Sequence, residues 1–316
     1  MKRISIINFK GGVGKTTLSL HLACFLSREN RVLLIDVDHQ SSLSIVILGE
    51  TLWPECVAKG KTINRVFESF CNPRLGMPDN SIVTSNPFYE RYERRRNNFY
   101  PNLDFVSAQF ELDDTEIDLA STNYGNPMLS EWEKRTLLCR WLDSISAQET
   151  YEYVIFDCPP ATKIVSQNAL TASDSYIIPV IPEDISSRGV THFRNLVETK
   201  IDERMIFFKN GARISDQDTP YNYIPRTRLA GIVPFLVRYA GNAASGYTNI
   251  HTEQLAALRR RWGTDVIDTE GQHYTGIAEA VNAGRPVWNY QANNVTPAVK
   301  IMMEKICQQL KDRVDQ

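Results

Sequence analysis

Residues 9–17 read Phe9-Lys10-Gly11-Gly12-Val13-Gly14-Lys15-Thr16-Thr17, and they join two apolar segments of the chain. Residues 4–7 before them predict a strand, and residues 18–26 after them predict a helix. Glycines at such a junction let backbone N–H groups point inward, and the start of a helix adds partial positive charge. The stretch therefore predicts a loop that holds phosphate groups.

Two lysines and a threonine carry the expected chemistry of this loop. Lys15 is placed to reach the β- and γ-phosphates of a nucleotide, and the Thr16 hydroxyl to hold Mg²⁺. The common motif has a glycine five residues before Gly14, but this chain has Phe9 there, followed by an additional lysine, Lys10. The loop is thus a variant of the usual phosphate-binding motif.

Three aspartates follow predicted strands. Asp36 and Asp38 close the strand that begins at Val32, and Asp157 closes the strand that begins at Tyr153. Because side chains alternate along a strand, Asp36 and Asp38 face the same side. Open α/β sheets bind ligands at the carboxyl ends of their strands. One acid there can hold a water on Mg²⁺ while another orients an attacking water.

Strands and helices alternate along most of the chain, which predicts an α/β fold with a mainly parallel, twisted sheet flanked by helices on both faces. We expect one domain over residues 1–316, with surface insertions near 85–102 and 202–228. The first insertion contains the arginine-rich run 91–96, which is typical of a solvated loop but also has the composition of a nucleic-acid contact. Short strands are expected at 82–83 and 265–267, and helices at 187–200, 252–262 and 296–313.

Composition narrows the class of protein. The chain has 316 residues, 42% of them hydrophobic, and its formal net charge is −2, so any DNA contact must come from a local basic patch. The six cysteines are scattered without a Cys-x-x-Cys pair, which argues against a disulfide framework or a zinc site. No apolar run approaches the ~20 residues that span a membrane, and we expect no signal peptide. These features predict a cytoplasmic protein.

The motifs resemble those of the ParA/MinD family of deviant Walker A ATPases. Residues 10–17 are similar to the family's phosphate loop with its extra lysine, residues 35–40 to its switch I, and residues 157–161 to its switch II. Further segments follow in the family's order at 178–180, 189, 229–233, 277–280 and 284–288. The resemblance covers nearly the whole chain and is closest to ParA-like partition and cargo-positioning ATPases, including the McdA type.

The resemblance implies a homodimer that sandwiches two ATP molecules. Lys10 of each subunit would touch the other subunit's nucleotide, and Asp38 would align the hydrolytic water, so the implied catalytic residues are Lys10, Lys15 and Asp38. Thr16 would bind Mg²⁺ directly, with Asp36 and Asp157 acting through water. The implied ATP-binding residues are Lys10, Gly11, Gly12, Val13, Gly14, Lys15, Thr16 and Thr17.

The resemblance also implies binding of the ATP-bound dimer to non-specific DNA, and the positioning of a cargo such as a plasmid, a chromosome region or a carboxysome. A ParB-like or McdB-like protein would stimulate the slow hydrolysis, and the protein would be nucleoid-associated, with no membrane contact. The candidate DNA-binding residues are Arg259, Arg260, Arg261, Arg285, Lys300 and Lys305. The first three close a predicted helix, where the helix dipole favours cations whether or not DNA binds.

Two other interpretations remain open. A MinD-like membrane ATPase would end in a basic amphipathic helix, whereas residues 308–316 here are polar and partly acidic. A metabolic enzyme of the same fold would be an electron-transfer iron protein or an amide-forming synthetase. Cys158 would matter in an iron protein, but no second cysteine stands in a suitable glycine-rich loop, so we expect Cys158 to be a packed small residue. The residues that contact adenine stay unassigned.

Overall fold

A computed structural model describes residues 1–91, 99–182, 186–238 and 248–316. The strands of this part of the chain are β1 Lys2–Ile6, β2 Val32–Asp36, β3 Thr84–Ser85, β4 Leu103–Val106, β5 Tyr153–Asp157, β6 Ser175–Val180, β7 Arg228–Val237 and β8 Gly271–Gln272. They form one sheet in the order β3-β4-β2-β5-β1-β6-β7-β8. Only β3 runs antiparallel to its neighbour among these strands.

The helices before β5 are α1 Lys15–Leu26, α2 Ser42–Ala58, α3 Asn64–Cys71, α4 Pro87–Arg91, α5 Leu112–Ser121, α6 Pro127–Arg135, α7 Leu137–Ser144 and α8 Ala147–Thr150. Those after β5 are α9 Ile164–Thr171, α10 Ser186–Asn195, α11 Glu203–Gly211, α12 Asn249–Trp262, α13 Thr275–Asn282 and α14 Pro297–Asp315.

The central strands are buried on both faces, as expected for parallel strands between two helical layers. Alternate residues of β2 enter two different cores: Leu33 and Ile35 pack in one, and Val32 and Leu34 in the other. This arrangement confirms the predicted α/β fold. It also brings the carboxyl ends of β1, β2 and β5 to one edge of the sheet, because these strands are parallel neighbours.

Helix α2 is an element that the sequence patterns did not predict. It kinks at Gly49, where φ is 73° and ψ is 179°, and Pro54 lies in its second half. Both residues are unfavourable in a helix interior, so the segment lacks a continuous helical pattern. The helix begins four residues after Asp38 and thereby fixes the chain that leaves β2.

The two short predicted strands are wrong in detail. At 82–83 the chain leaves a 3₁₀ turn, Asn80–Ile82, and the short edge strand β3 follows it. At 265–267 it makes a single bridge between Val266 and Ile232 after a 3₁₀ turn, Gly263–Asp265. Segments of two or three residues are too short for their periodicity to decide the structure.

The helix predicted at 187–200 is longer than expected. Helix α10 continues through a π-helical stretch, Leu196–Asp202, into α11. The first part of 202–228 is therefore helical, and Met205 and Phe208 are buried there. The predicted helices 252–262 and 296–313 are confirmed as α12 and α14. Most of the arginine-rich run, 92–96, lies outside the described residues, and the single domain with two insertions stays a prediction.

Candidate nucleotide-binding site

The loop 10–17 connects β1 to α1 and has the backbone shape of a phosphate cradle. Gly12 and Gly14 adopt φ values of 71° and 90°, which residues with a side chain rarely tolerate. Helix α1 begins directly after Gly14 without a side-chain cap, so its first N–H groups are available to an anion. Lys15 is buried, and its Nζ donates a hydrogen bond to the Lys10 carbonyl oxygen at 3.3 Å.

Two acids face each other across β2 and β5 beside this loop. The backbone register pairs Asp36 with Asp157, and both side chains are buried. Asp157 accepts hydrogen bonds from the Thr16 hydroxyl at 2.9 Å and from the Ser19 hydroxyl at 2.8 Å. Burial raises the pKa of Asp157 to about 7, although these two hydrogen bonds oppose the shift. Helix α1 and strand β5 are thereby joined through the Asp157 carboxylate.

Asp36 is held from the opposite side of the site. Its Oδ2 accepts hydrogen bonds from the Ser44 backbone N–H at 2.9 Å and the Ser44 hydroxyl at 2.7 Å, and its Oδ1 accepts one from the Asp38 N–H at 3.0 Å. Burial, and then the neighbouring Asp157, raise its pKa well above the usual value of a carboxyl group. Asp36 therefore anchors both the turn that carries Asp38 and the start of α2.

Asp38 lies just beyond the end of β2. Its Oδ1 accepts a hydrogen bond from the Gln40 N–H at 3.0 Å, and the His39 Nδ1 lies 3.7 Å from the same oxygen. Burial lowers the pKa of Lys15, and the charges of Asp157 and Asp38 oppose that effect, so all three groups share one electrostatic neighbourhood. The structure thus brings together Lys15, Thr16, Asp36, Asp38 and Asp157.

Two serines complete the site, and the sequence patterns pointed to neither. Ser19 follows Thr16 by three positions, which places the two hydroxyls on one face of α1, so helical spacing could have identified it. Ser44 belongs to α2, which was not predicted, and no spacing rule pointed to it. Its hydroxyl also accepts a hydrogen bond from the Ala108 N–H at 2.8 Å, which links Asp36 to the chain after β4.

The ring of Phe235, in β7, packs against Gly14 of the loop. A Cβ atom on Gly14 would lie 2.4 Å from Phe235 Cδ1, and a Cβ atom on Gly271 would lie 2.2 Å from Phe235 Cδ2. The ring therefore sits between two glycines, one in the loop and one in β8. Asn8 fixes the other end of the loop, because its Oδ1 accepts a hydrogen bond from the Lys10 N–H at 3.1 Å and its Nδ2 donates one to the Pro179 carbonyl at 2.7 Å.

The oxygen atoms at this edge suit a hard cation. Hydroxyl and carboxylate oxygens from Thr16, Asp36 and Asp157 are ligands of the kind Mg²⁺ takes directly or through water. Within the described ranges, no group of three or more His, Cys, Asp or Glu side chains is arranged to hold a metal ion.

Cys158 is buried in a hydrophobic core, which agrees with a packing role.

The six candidate DNA-binding residues are not alike. Arg259 lies in an ion pair with Glu270, at 2.7 Å between Nη2 and Oε1, and also donates to the Asp268 carbonyl at 2.9 Å. Arg285 and Lys300 line one cavity of about 420 Å³, together with the aromatic side chains of Phe99, Trp288 and Tyr290. The remaining three, Arg260, Arg261 and Lys305, are exposed on α12 and α14.

The final helix packs against the body of the protein. Helix α14 buries one apolar face made of Val299, Met303, Ile306, Cys307, Leu310 and Val314. Among the helices of the described chain, none combines the length and apolar character needed to cross a membrane.

A glycine-rich loop between a strand and a helix, with acids on the neighbouring strand ends, defines a P-loop nucleotide-binding protein. Residues 1–208 match the family described as AAA domain. The sporulation initiation inhibitor protein Soj of Bacillus subtilis is 32% identical over 62% of this chain and 64% of Soj, which is less than two thirds of that protein. The chromosome partitioning protein ParA of Caulobacter vibrioides is 27% identical over 92% of this chain and 87% of its own.

A solved structure of apo McdA from Cyanothece has a TM-score of 0.67, with 19% identity, and covers 99% of each chain. At that identity the likeness concerns the fold. The chain belongs to the ParA-like P-loop ATPases, which confirms the family that its motifs predict.

Proposed function

We propose that this protein is an ATPase that dimerises with ATP, binds non-specific DNA in that state and positions or segregates a cargo. One observation carries the proposal: the loop that contains Lys15 lies beside Asp36, Asp38 and Asp157 at one edge of the sheet. Lys10, at the start of this loop, is exposed. Buried acids next to a phosphate cradle suit hydrolysis, whereas an exposed lysine suits contact with a second molecule.

In the proposed site, the N–H groups of residues 11–17 and Lys15 bind the ATP phosphates. When Mg²⁺ binds, Thr16 would hold it directly, and Asp36 and Asp157 would act on it through water. The ion supplies positive charge to the phosphate oxygens when it is bound. Asp38 orients the attacking water. It lies two residues beyond the end of β2, and its Oδ2 takes part in none of the described hydrogen bonds.

The space around the loop supports dimerisation. Gly11 and Gly12 are exposed, and a Cβ atom at either position would meet nothing within 4 Å. A second copy of the loop could therefore approach closely at this point, with Lys10 reaching the partner's nucleotide. In the proposed dimer this lysine acts in trans, as an arginine finger does.

The names of two relatives support a proposal for the cargo and for the reset step. Soj and ParA carry names that describe sporulation control and chromosome partitioning. By analogy, we propose that ATP keeps the protein on nucleoid DNA and that a ParB-like or McdB-like partner stimulates slow hydrolysis, which releases it. The buried apolar face of α14 favours this function over a MinD-like membrane ATPase, because such a helix needs that face for the lipid.

Co-sedimentation with DNA and with anionic liposomes tests the proposal. Each is mixed with the protein and Mg²⁺ in the presence of ATP, ADP or no nucleotide. We expect pelleting with DNA only when ATP is present, and no pelleting with liposomes. Liposome binding would favour the MinD-like alternative, and the absence of nucleotide-dependent binding to either would reject the proposed function.

A further inference from the structure

The outer face of α5 is a surface that the nucleotide site does not use. We call it the α5 outer face and define it by Phe110, Glu111, Asp114, Ile117 and Asp118. Phe110, in the turn that starts the helix, is 55% exposed, and Ile117 is 61% exposed. Ile117 lies opposite the buried residues of α5, and Phe110 lies in the turn just before the helix. Two large apolar side chains on one exposed face favour an interaction surface.

The opposite side of the helix packs on the protein. Leu112, Thr115, Glu116 and Leu119 are buried, and α5 contacts α3 and α9. The orientation of the helix is therefore fixed. The packed helix presents Asp114, Ile117 and Asp118, and the turn before it presents Phe110 and Glu111, so a partner meets a preformed surface.

The charged side chains of this face are all acidic. Residues 110–121 contain five acidic residues and no Lys, Arg or His. Glu111, Asp114 and Asp118 are exposed, and within the described chain none of the three makes an ion pair. An anionic surface of this kind repels DNA, anionic lipid and an identical face of a second copy. It attracts a cationic partner.

The helix is tied to the loop that follows Asp157. Lys163 Nζ lies 3.0 Å from Asp113 Oδ1 and 3.6 Å from Glu116 Oε2. Glu116 Oε1 also accepts a hydrogen bond from the Val165 N–H at 2.9 Å, which caps the first turn of α9. These contacts join α5 to the end of the segment 158–163, which directly follows the acid that accepts the Thr16 hydrogen bond.

A second contact joins the α5 outer face to α2. The rings of Phe110 and Trp53 pack edge to face with centroids 5.0 Å apart, and Trp53 Nε1 donates a hydrogen bond to the Ala108 carbonyl at 2.9 Å. Helix α2 starts after Asp38 and holds Asp36 through Ser44. The face therefore contacts elements that lead to Asp36 and Asp38 on one side and to Asp157 on the other.

We propose that the α5 outer face docks a cationic amphipathic helix of another polypeptide, whose apolar side chains cover Phe110 and Ile117 and whose Lys or Arg side chains meet the three exposed carboxylates. The effect of docking rests on the proposed function: the bound helix shifts the loop 158–163 and so changes the rate of ATP hydrolysis. In the common mode of helix docking, apolar anchors at helical spacing on the bound helix cover apolar side chains of the receptor, here Phe110 and Ile117.

A synthetic peptide tests the docking surface. The probe is a fluorescent peptide of about 14 residues, roughly four helical turns, with Leu at every third or fourth position and Lys elsewhere. A second peptide replaces each Lys by Glu. Anisotropy at about 0.15 M salt should detect binding of the Lys peptide to the full chain and no binding of the Glu peptide. Equal binding of both peptides would contradict the proposed charge complementarity.

Matched variants separate docking from general attraction to an acidic protein. Phe110→Ala with Ile117→Ala, and separately Asp114→Lys with Asp118→Lys, should each weaken peptide binding about tenfold or more. The control is Ile301→Ala with Asp312→Lys on α14, where Ile301 is 51% exposed and Asp312 is exposed. The control should bind as the wild type does. Wild-type affinity in both α5 variants, or an equal loss in the control, would overturn the proposed surface.

Lys163→Met tests the connection to hydrolysis. This variant should still bind the Lys peptide, but saturating peptide should change its ATP turnover less than the several-fold change expected in the wild type, because only the Glu116–Val165 hydrogen bond and the Phe110–Trp53 contact still connect the face to the site. An unaffected wild-type turnover, or a full response in Lys163→Met, would contradict the coupling. Peptide binding is measured without nucleotide or DNA, so failure of the proposed function in the pelleting assay is a separate result.

Discussion

Two regions of the molecule are built in opposite ways. One is the phosphate edge, which we define by Lys15, Thr16, Asp36 and Asp157. The other is the basic surface, which we define by the candidate DNA-binding residues Arg259–Arg261, Arg285, Lys300 and Lys305. The acids of the edge are buried, and hydroxyls or backbone N–H groups hold both of them. Three cations of the basic surface are simply exposed. Chemistry on a phosphate requires fixed positions, whereas attraction of a polyanion requires charge near the surface. The comparison predicts large effects of small changes at the edge and graded effects at the surface.

The largest effect is expected at Gly14. A Cβ atom there would overlap the Phe235 ring, and the φ of 90° is unfavourable for a residue with a side chain. Gly14→Ala should therefore lower the free energy of unfolding by about 3 kcal/mol, as measured by denaturant unfolding. Gly11→Ala is the matched control, since its Cβ would meet nothing within 4 Å, and it should cost less than about 0.5 kcal/mol.

Phe235→Leu sharpens this prediction. If the overlap with the ring causes the loss, the cost of Gly14→Ala should be smaller in the Phe235→Leu background. Strictly additive effects of the two substitutions would show that the ring does not restrict the loop.

The next effect concerns the charge of Asp157. Its pKa of about 7 in the folded protein lies above the ~3.9 of an unperturbed aspartate, so between these values the folded state binds more protons than the unfolded state. The stability that this contributes is present at low pH and is lost as the pH rises through 7. Asp157→Asn should flatten this decline and, at pH 8, be more stable than the wild type by on the order of 2 kcal/mol.

Denaturant midpoints at pH 5 and pH 8 measure the difference. Asp202, whose pKa burial also raises to about 7, titrates in both proteins and so cancels in the comparison. Asp36 does not cancel: the Asp157 charge contributes to its raised pKa, so its own shift is smaller in Asp157→Asn and flattens the decline in the same direction. A decline in Asp157→Asn as steep as in the wild type would contradict the account of this site. If Asp157→Asn is more stable than the wild type but no longer hydrolyses ATP, the buried carboxylate lowers the stability of the folded protein and is needed for its activity.

The two regions also differ in how much the sequence could reveal. Strand periodicity predicted β2 and β5, and their parallel pairing then placed Asp36 beside Asp157. Ser44 and Phe235 could not be predicted, because one belongs to a helix interrupted by Gly49 and Pro54, and the other reaches Gly14 from a distant strand. At the surface, charge alone could not distinguish Arg259, which pairs with Glu270, from Arg285 and Lys300, which share a cavity with aromatic rings.

Smaller and graded effects are expected at the basic surface. Charge reversal at Arg285 and Lys300 together should weaken ATP-dependent DNA binding about tenfold and make it less sensitive to salt. Charge reversal at Arg259 and Arg260 should weaken it less, since Arg259 is already neutralised by Glu270. Affinities from 50 to 200 mM salt would check the order. A larger loss for the second pair would move the DNA contact to α12.

The central claim is that ATP assembles two copies of the chain through Lys10. Sedimentation velocity tests it most directly, in an Asp38→Ala background that slows hydrolysis. With ATP and Mg²⁺, Asp38→Ala should sediment as a stable dimer, and Lys10→Ala with Asp38→Ala should remain a monomer while still binding ATP. A Lys10→Ala protein that dimerises with ATP as fully as its parent would contradict the account.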